Sequence, residues 1–259
     1  MNDPNRPHGS SLDFWCWSIG SIVAASIVGL AVWGGRMYFE RSDAANLQEA
    51  CVCGKAIALS IISHESAKKH YPMVYSVDAQ GRPLLSWRVH MLPYLQESVL
   101  YRQFHLDEPW DSPHNLSLLP KMPAVFQSSG LTLPEGYTCW LAPVSKDSVI
   151  VRPEDANPYG RDTPGIRNGD LNMGSALTIL VIEVNAEAAV PWTAPFDYDY
   201  SPDPPLRHVG GNRRGEVISV WADGHVTSHD ISLRPENWLI HFKRAWSSQD
   251  LDQFDPYDL

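Results

Sequence analysis

Hydrophobic and polar positions divide this chain into stretches with different periods. Phe14 to Trp33 runs for twenty positions without a charged side chain. At about 1.5 Å per residue, a helix of that length reaches roughly 30 Å, the thickness of a bilayer core. Its polar side chains are Ser18, Ser21 and Ser26, whose hydroxyls can bond back to helix carbonyls. Trp15, Trp17 and Trp33 lie near the two ends, where amphipathic rings favour the headgroup zone. Residues 14–34 are therefore expected to span a membrane, after a tail at 1–13. Ser21, Ala25 and Gly29 recur every fourth position, a small-residue stripe that suits either close helix packing or a smooth lipid-facing ridge. Gly29-Leu30-Ala31 also has the small-x-small form of a signal cleavage site. The apolar core, however, exceeds the usual 7–15 residues, and the segment before it is not positive. Retention is the expectation.

From Arg36 to His70 there is no proline, and Ala45, Ala50, Ile57, Ile61 and Ile62 fall at helical spacing. The pattern predicts a helix from about Ala44 to Lys69, within a stalk at 35–70 that stops before Pro72. Leu84 to Phe104 reads as a second helical region bent at Pro93. Leu106 to Gly136 is punctuated by prolines and reads as irregular. The period then becomes that of strands: Tyr137 to Ala142, Ser148 to Val151, and Leu177 to Val184, a β-branched run suited to a central, doubly buried strand. Glu216 to Ala222 and His225 to His229 flank Asp223-Gly224, a strong hairpin signal. Pro235 to Trp246 predicts a last helix, and the acidic tail 249–259 reads as loose. The fold class expected is α+β: a transmembrane helix extended into a stalk helix, then a head at 71–248 with a mostly antiparallel sheet.

Charge narrows the partners. The formal net charge of −10 repels phosphate backbones, so the reading is a lipid bilayer as partner and no nucleic acid. Arg6 on one side of the apolar segment is set against Arg36, Arg41 and Lys55 on the other, which by charge alone leans towards a cytoplasmic body. Cys51 and Cys53 supply half of a metal site at unusual spacing. A single bridge from Cys139 to Cys51 or Cys53 stays open.

Several clusters invite a chemical reading. His208, Asp223, His225 and His229 suggest a metal, but on a strand His225 and His229 lie about 13 Å apart, too far to share one ion. The expectation is that Asp223-Gly224 makes a turn and His208 bonds to backbone. Asp107, Glu108, Asp111 and His114 could form an acid/base or cation site. Turn chemistry accounts for the same block with Asp111 and Asn115 as caps and Trp110 as an anchor. Asp155, Asn157, Asp162 and Asp170 lie in an oxygen-rich loop of the kind that can hold calcium, although the bidentate glutamate of an EF-hand is missing. No nucleophile elbow, phosphate loop or dinucleotide fingerprint occurs, so no catalytic or cofactor-binding residue is assigned.

Three stretches carry a family resemblance. Ser86-Trp87-Arg88-Val89 runs through Leu92-Pro93-Tyr94-Leu95 to Asp107-Glu108-Pro109-Trp110-Asp111-Ser112-Pro113-His114-Asn115. Thr178 to Glu183 follows, with Val190-Pro191-Trp192-Thr193. The third is His208 with Gly210-Gly211, then Ala222-Asp223-Gly224-His225-Val226. Together they resemble the domain of unknown function 1559 family, abundant in planctomycete-type bacteria and associated with prepilin-like N-termini. Two departures stand out. Ser10-Ser11-Leu12-Asp13 occupies the place of the family's processing site, and fourteen residues rather than nine separate His208 from Asp223. The resemblance implies a pseudopilin-like head on the extracytoplasmic side of the inner membrane, with no established activity. The function expected is a membrane-anchored structural, assembly or secretion-accessory protein, forming helix-mediated homo- or hetero-oligomers, without catalysis. The alternative is a tethered carbohydrate- or solute-binding module using exposed Trp and Tyr; a hydrolase comes third.

Overall fold

The computed structural model describes residues 43–162, 164–200, 206–213, 216–230 and 235–253. The expected tail 1–13 and membrane segment 14–34, with Ser21, Ala25 and Gly29, lie outside them. Helix α1 (Asp43–Lys68) follows from an unbroken, proline-free run of 26 residues rich in Ala and Ile. It stops where Lys69 turns left-handed at φ 66° and its N–H bonds the Glu65 carbonyl at 2.7 Å. By length and composition alone α1 could cross a membrane. One face of it is nevertheless the core of the head, with Ala50, Ile57, Ala58 and Ile61 fully buried. The expected stalk is thus the spine of the head. Gly54 lets the sheet approach that spine, since a Cβ there would meet Val220 at 3.2 Å and Val226 at 3.3 Å.

After α1 come a short pair, β1 (Tyr75–Val77) and β2 (Pro83–Ser86), then α2 (Trp87–Met91), α3 (Ser98–Tyr101) and α4 (Pro113–Leu116). Two-residue strands follow: β3 (Tyr137–Thr138), β4 (Trp140–Leu141) and β5 (Pro143–Val144). The remaining elements are β6 (Ile179–Glu183), β7 (Val190–Pro191), β8 (Tyr198–Asp199), β9 (Glu216–Trp221), β10 (Val226–Asp230), α5 (Pro235–His241) and α6 (Ser248–Gln253). The main sheet has the order β10-β9-β6-β4 and is antiparallel throughout. All five residues of β6 are buried at its centre, as its β-branched run demands. The head is α+β, and the described residues from Asn46 onward form one compact unit.

The sheet divides the interior in two. On one face Leu180, Val181, Ile218 and Val220 join the α1 side chains in the larger core. On the other, Ile179, Ile182, Val217 and Trp221 pack with Trp238 and Phe242 in a smaller one. Hairpin β9–β10 turns at Asp223-Gly224 as the sequence predicts, with Gly224 at φ 90° and the His225 N–H donating to Asp223 at 3.0 Å.

Other expectations need correction. Leu84–Ser86 is strand rather than helix, because β2 pairs with β1; only the residues after Ser86, whose side chain caps α2, are helical. Ser148–Val151 forms no strand but is buried. The predicted strand 137–142 is split: β3 pairs with β7 in a two-stranded sheet, while β4 joins the main sheet beside β6. The last helix closes at His241 rather than Trp246, and α6, from Ser248 to Gln253, takes in the start of the acidic tail.

Candidate functional site

The head is built around a buried ion pair that an apolar pattern hides. Arg88 and Asp197 are 2.7 Å apart, with side chains 0 % and 1 % exposed. Arg88 also donates to the Trp140 carbonyl at 2.9 Å and to Ser86 at 2.7 Å. Asp197 accepts from the Ala142 N–H at 2.7 Å and from the Trp87 indole at 3.2 Å. Burial pushes the Asp197 carboxyl up to about 6, against the pull of Arg88 and these donors. Such a pair locks a geometry rather than adding stability over an apolar core, because two desolvated ions offset much of their own attraction. Trp87 ties it to a ring cluster in which Phe126 packs on Trp87 and Trp192 at 6.2 and 6.0 Å. The Trp192 indole donates to the Leu119 carbonyl at 3.0 Å, while Pro191 in β7 pairs with Tyr137.

The Asp107–Asn115 block is held by one amide. Asn115 is wholly buried. Its Oδ1 accepts from the His105 N–H at 3.0 Å. Its Nδ2 donates to the carbonyls of His105, Glu108 and Pro109 at 2.9, 3.2 and 3.1 Å. Ser112, rather than Asp111, caps α4 by accepting from the Asn115 N–H at 3.1 Å. Trp110 anchors the loop through its N–H to the Leu84 carbonyl at 3.0 Å and its ring against Phe196. Glu108 accepts from His105 at 2.9 Å, and the His105 and His114 rings stack 3.5 Å apart. Asp107 and Asp111 stay at the surface, so the carboxylates do not converge.

A second clamp holds the end of β6. Arg213 reaches Glu183 with Nε at 2.7 Å and Nη2 at 2.9 Å, and also the Ser129 carbonyl at 3.0 Å. Asn212 donates to the Val184 carbonyl at 2.7 Å and accepts from the Ala186 N–H at 3.2 Å. The extra loop length between His208 and Asp223 is therefore structural. The His208 carbonyl accepts from the Asn185 N–H at 2.8 Å, while its ring lies 3.7 Å from Glu187. The ring thus faces a carboxylate rather than the backbone partner expected from the sequence. The imidazoles of His225 and His229 both face Trp221, one stacked at 5.0 Å and one edge-on at 6.4 Å.

The oxygen-rich loop is occupied by its own side chains. Asp170 takes the Arg161 guanidinium through both oxygens and the Arg167 N–H at 2.8 Å. Asn157 folds its amide onto the backbone of Arg161 at 2.7 and 3.0 Å. With Asp170 and Asn157 so used, Asp155 and Asp162 are not drawn into a cage; among the described residues no group of three or more ligand side chains converges. Cys51, Cys53 and Cys139 are all free, so the bridge to Cys139 is not formed; burial pushes the Cys139 thiol up to about 12. The Trp side chains of the described residues are buried or half-buried, so of the aromatics the alternative binding reading would use, it is Tyr159, at 46 % exposure, that is open to solvent.

One feature was not anticipated. Beside β4, β7 and β8 lies a cleft of about 280 Å³, walled by Leu141, Val190, Tyr198 and Tyr200 and rimmed by Asp199, Arg207 and His208. The turn that sets its rim holds two non-glycine residues left-handed, Leu206 at φ 60° and His208 at φ 68°. The isolated Arg88 inside Ser86–Met91 was the visible sign of a buried ion pair. Nothing in the sequence marks the cleft, which joins segments far apart in the chain.

The family model described as a protein of unknown function (DUF1559) matches residues 54–139. This stretch belongs to the DUF1559 family. No curated protein matches, and no solved structure does. The DUF1559 stretch takes in most of α1, the Trp87–Arg88 half of the buried pair and the whole Asn115 latch. Glu183, Pro191, Trp192, His208, Asp223 and Gly224 lie beyond it. Within the stretch, Trp87, Pro109, Trp110 and Asn115 have structural partners, as turn chemistry and burial require.

Proposed function

We infer that the chain is a membrane-anchored, pseudopilin-like envelope protein whose head serves assembly or secretion rather than catalysis. The reading rests above all on α1, a long N-terminal helix with a four-stranded antiparallel sheet packed on one of its faces. The opposite face carries Val52 at 63 % and Leu59 at 54 % exposure, apolar side chains at a one-per-two-turns spacing. The family-signature residues support the same reading, because those with polar side chains and close partners, such as Asn115 and Glu183, spend them on holding loops. The apolar segment 14–34 supplies the anchor, the head lies on the extracytoplasmic side of the inner membrane, and neighbouring copies or partner subunits meet through the N-terminal helix.

The full chain purified in mild detergent is expected to give oligomeric bands after chemical cross-linking, and Gly29→Leu is expected to weaken them. A strictly monomeric wild-type protein at all concentrations would overturn the assembly reading.

A further inference from the structure

The geometry points to a ligand site at the cleft beside β8: it takes a small molecule with an apolar body and one anionic group, most simply a monocarboxylate. Ligand sites are concave, mostly apolar and provided with a few placed polar groups. The volume of about 280 Å³ lies just under the roughly 300–1,000 Å³ of drug-sized sites, which suits a small ligand. Leu141, Val190 and Tyr198 furnish the apolar wall.

Charge at the rim selects the head group. The Asp197 carboxylate is taken by Arg88, Asp199 is paired with Arg152 at 3.1 Å, and Glu187 faces His208 at 3.7 Å. Arg207 is exposed at the same rim, and no hydrogen bond or ion pair engages it among the described residues. A guanidinium left over in this way, on a chain of net charge −10, is a fork suited to a carboxylate. The backbone supports the placement. Leu206 and His208, on either side of Arg207, are both left-handed, a conformation costing about 1–2 kcal/mol at each such residue. The Val209 N–H to Leu206 carbonyl bond at 3.0 Å and the Asn185 N–H to His208 carbonyl bond hold the turn in place. Strain held in this way at a cleft rim is a mark of a ligand site.

The site stands independently of the assembly reading, since it uses neither α1 nor residues 14–34. The test is calorimetric titration of the full chain in mild detergent with 3-phenylpropionate and its neutral amide, each corrected against empty micelles. The carboxylate should bind about fivefold more tightly than the amide, the size of one partly exposed charge-assisted bond. Arg207→Gln should remove that preference, and Ala188→Phe, at a small residue that also lines the cleft, should fill it and abolish both. Equal binding of the two probes, no binding of either, a preference that survives Arg207→Gln, or binding that survives Ala188→Phe would each overturn the proposal. Arg207 is at the surface, so its variant keeps the test decisive even if Ala188→Phe fails to fold.

Discussion

Replacing Asn115 by alanine removes the latch of the Asp107–Asn115 block while leaving the loop sequence otherwise intact. The side chain accepts one bond, from the His105 N–H. Its two amide hydrogens serve three carbonyls, so the loss amounts to about three bonds. At about 1 kcal/mol net for each, Asn115→Ala should cost roughly 3 kcal/mol. For a head of this size that lowers the unfolding midpoint by about 6–12 °C, at 2–4 °C per kcal/mol. Ser112→Ala, which loses the α4 cap and the side-chain bond to Glu108, should cost about 1 kcal/mol. Asn115→Asp should be worse than alanine, because a carboxylate would face the three carbonyls that Nδ2 now serves. The assay is thermal unfolding followed by near-ultraviolet circular dichroism. A cost below about 0.5 kcal/mol for Asn115→Ala, within the range of ordinary surface changes, or an aspartate variant as stable as wild type, would refute the latch.

Removing one partner of a buried pair should be costly, so Arg88→Met is expected to lose about 3–5 kcal/mol, measured by denaturant unfolding. Gly54→Leu should cost about 1–3 kcal/mol by overpacking α1 against β9 and β10, while Leu59→Glu on the exposed face should stay within about 0.5 kcal/mol. Burial holds the His90 imidazole below its usual range, so it folds neutral. Its contribution is complete above about pH 6.5 and is lost as pH falls through the depressed folded value. Relative to His90→Phe, the wild type should therefore lose more stability between pH 7 and pH 5. Deleting residues 1–34 should leave a soluble, folded head, checked by gel filtration and circular dichroism.

Local signals were legible where one short segment decides the outcome. Asp223-Gly224 specifies a tight turn between two β-rich runs, and β6 is apolar enough to announce a strand buried on both faces. Helix α1 was legible as a helix but not in its role. Its Ala50, Gly54, Ile57, Ala58, Ile61 face needs the distant β9 and β10 to become a core face. Ser148–Val151 looks like a strand because it is buried, yet it finds no ladder partner. In the oxygen-rich loop the decisive partner was close at hand in the sequence, since the Arg161 guanidinium supplies Asp170 with the cation that calcium would have been. The Arg88–Asp197 pair spans 109 positions, and no periodicity can report such a contact.

Whether the segment before α1 holds the head to a bilayer decides the assembly role. Alkaline carbonate extraction of membranes carrying the full chain tests this directly. The protein should remain in the membrane pellet, while the chain lacking residues 1–34 should appear in the supernatant. Release of the intact full-length chain into the carbonate wash would contradict the membrane anchor and the assembly role built on it.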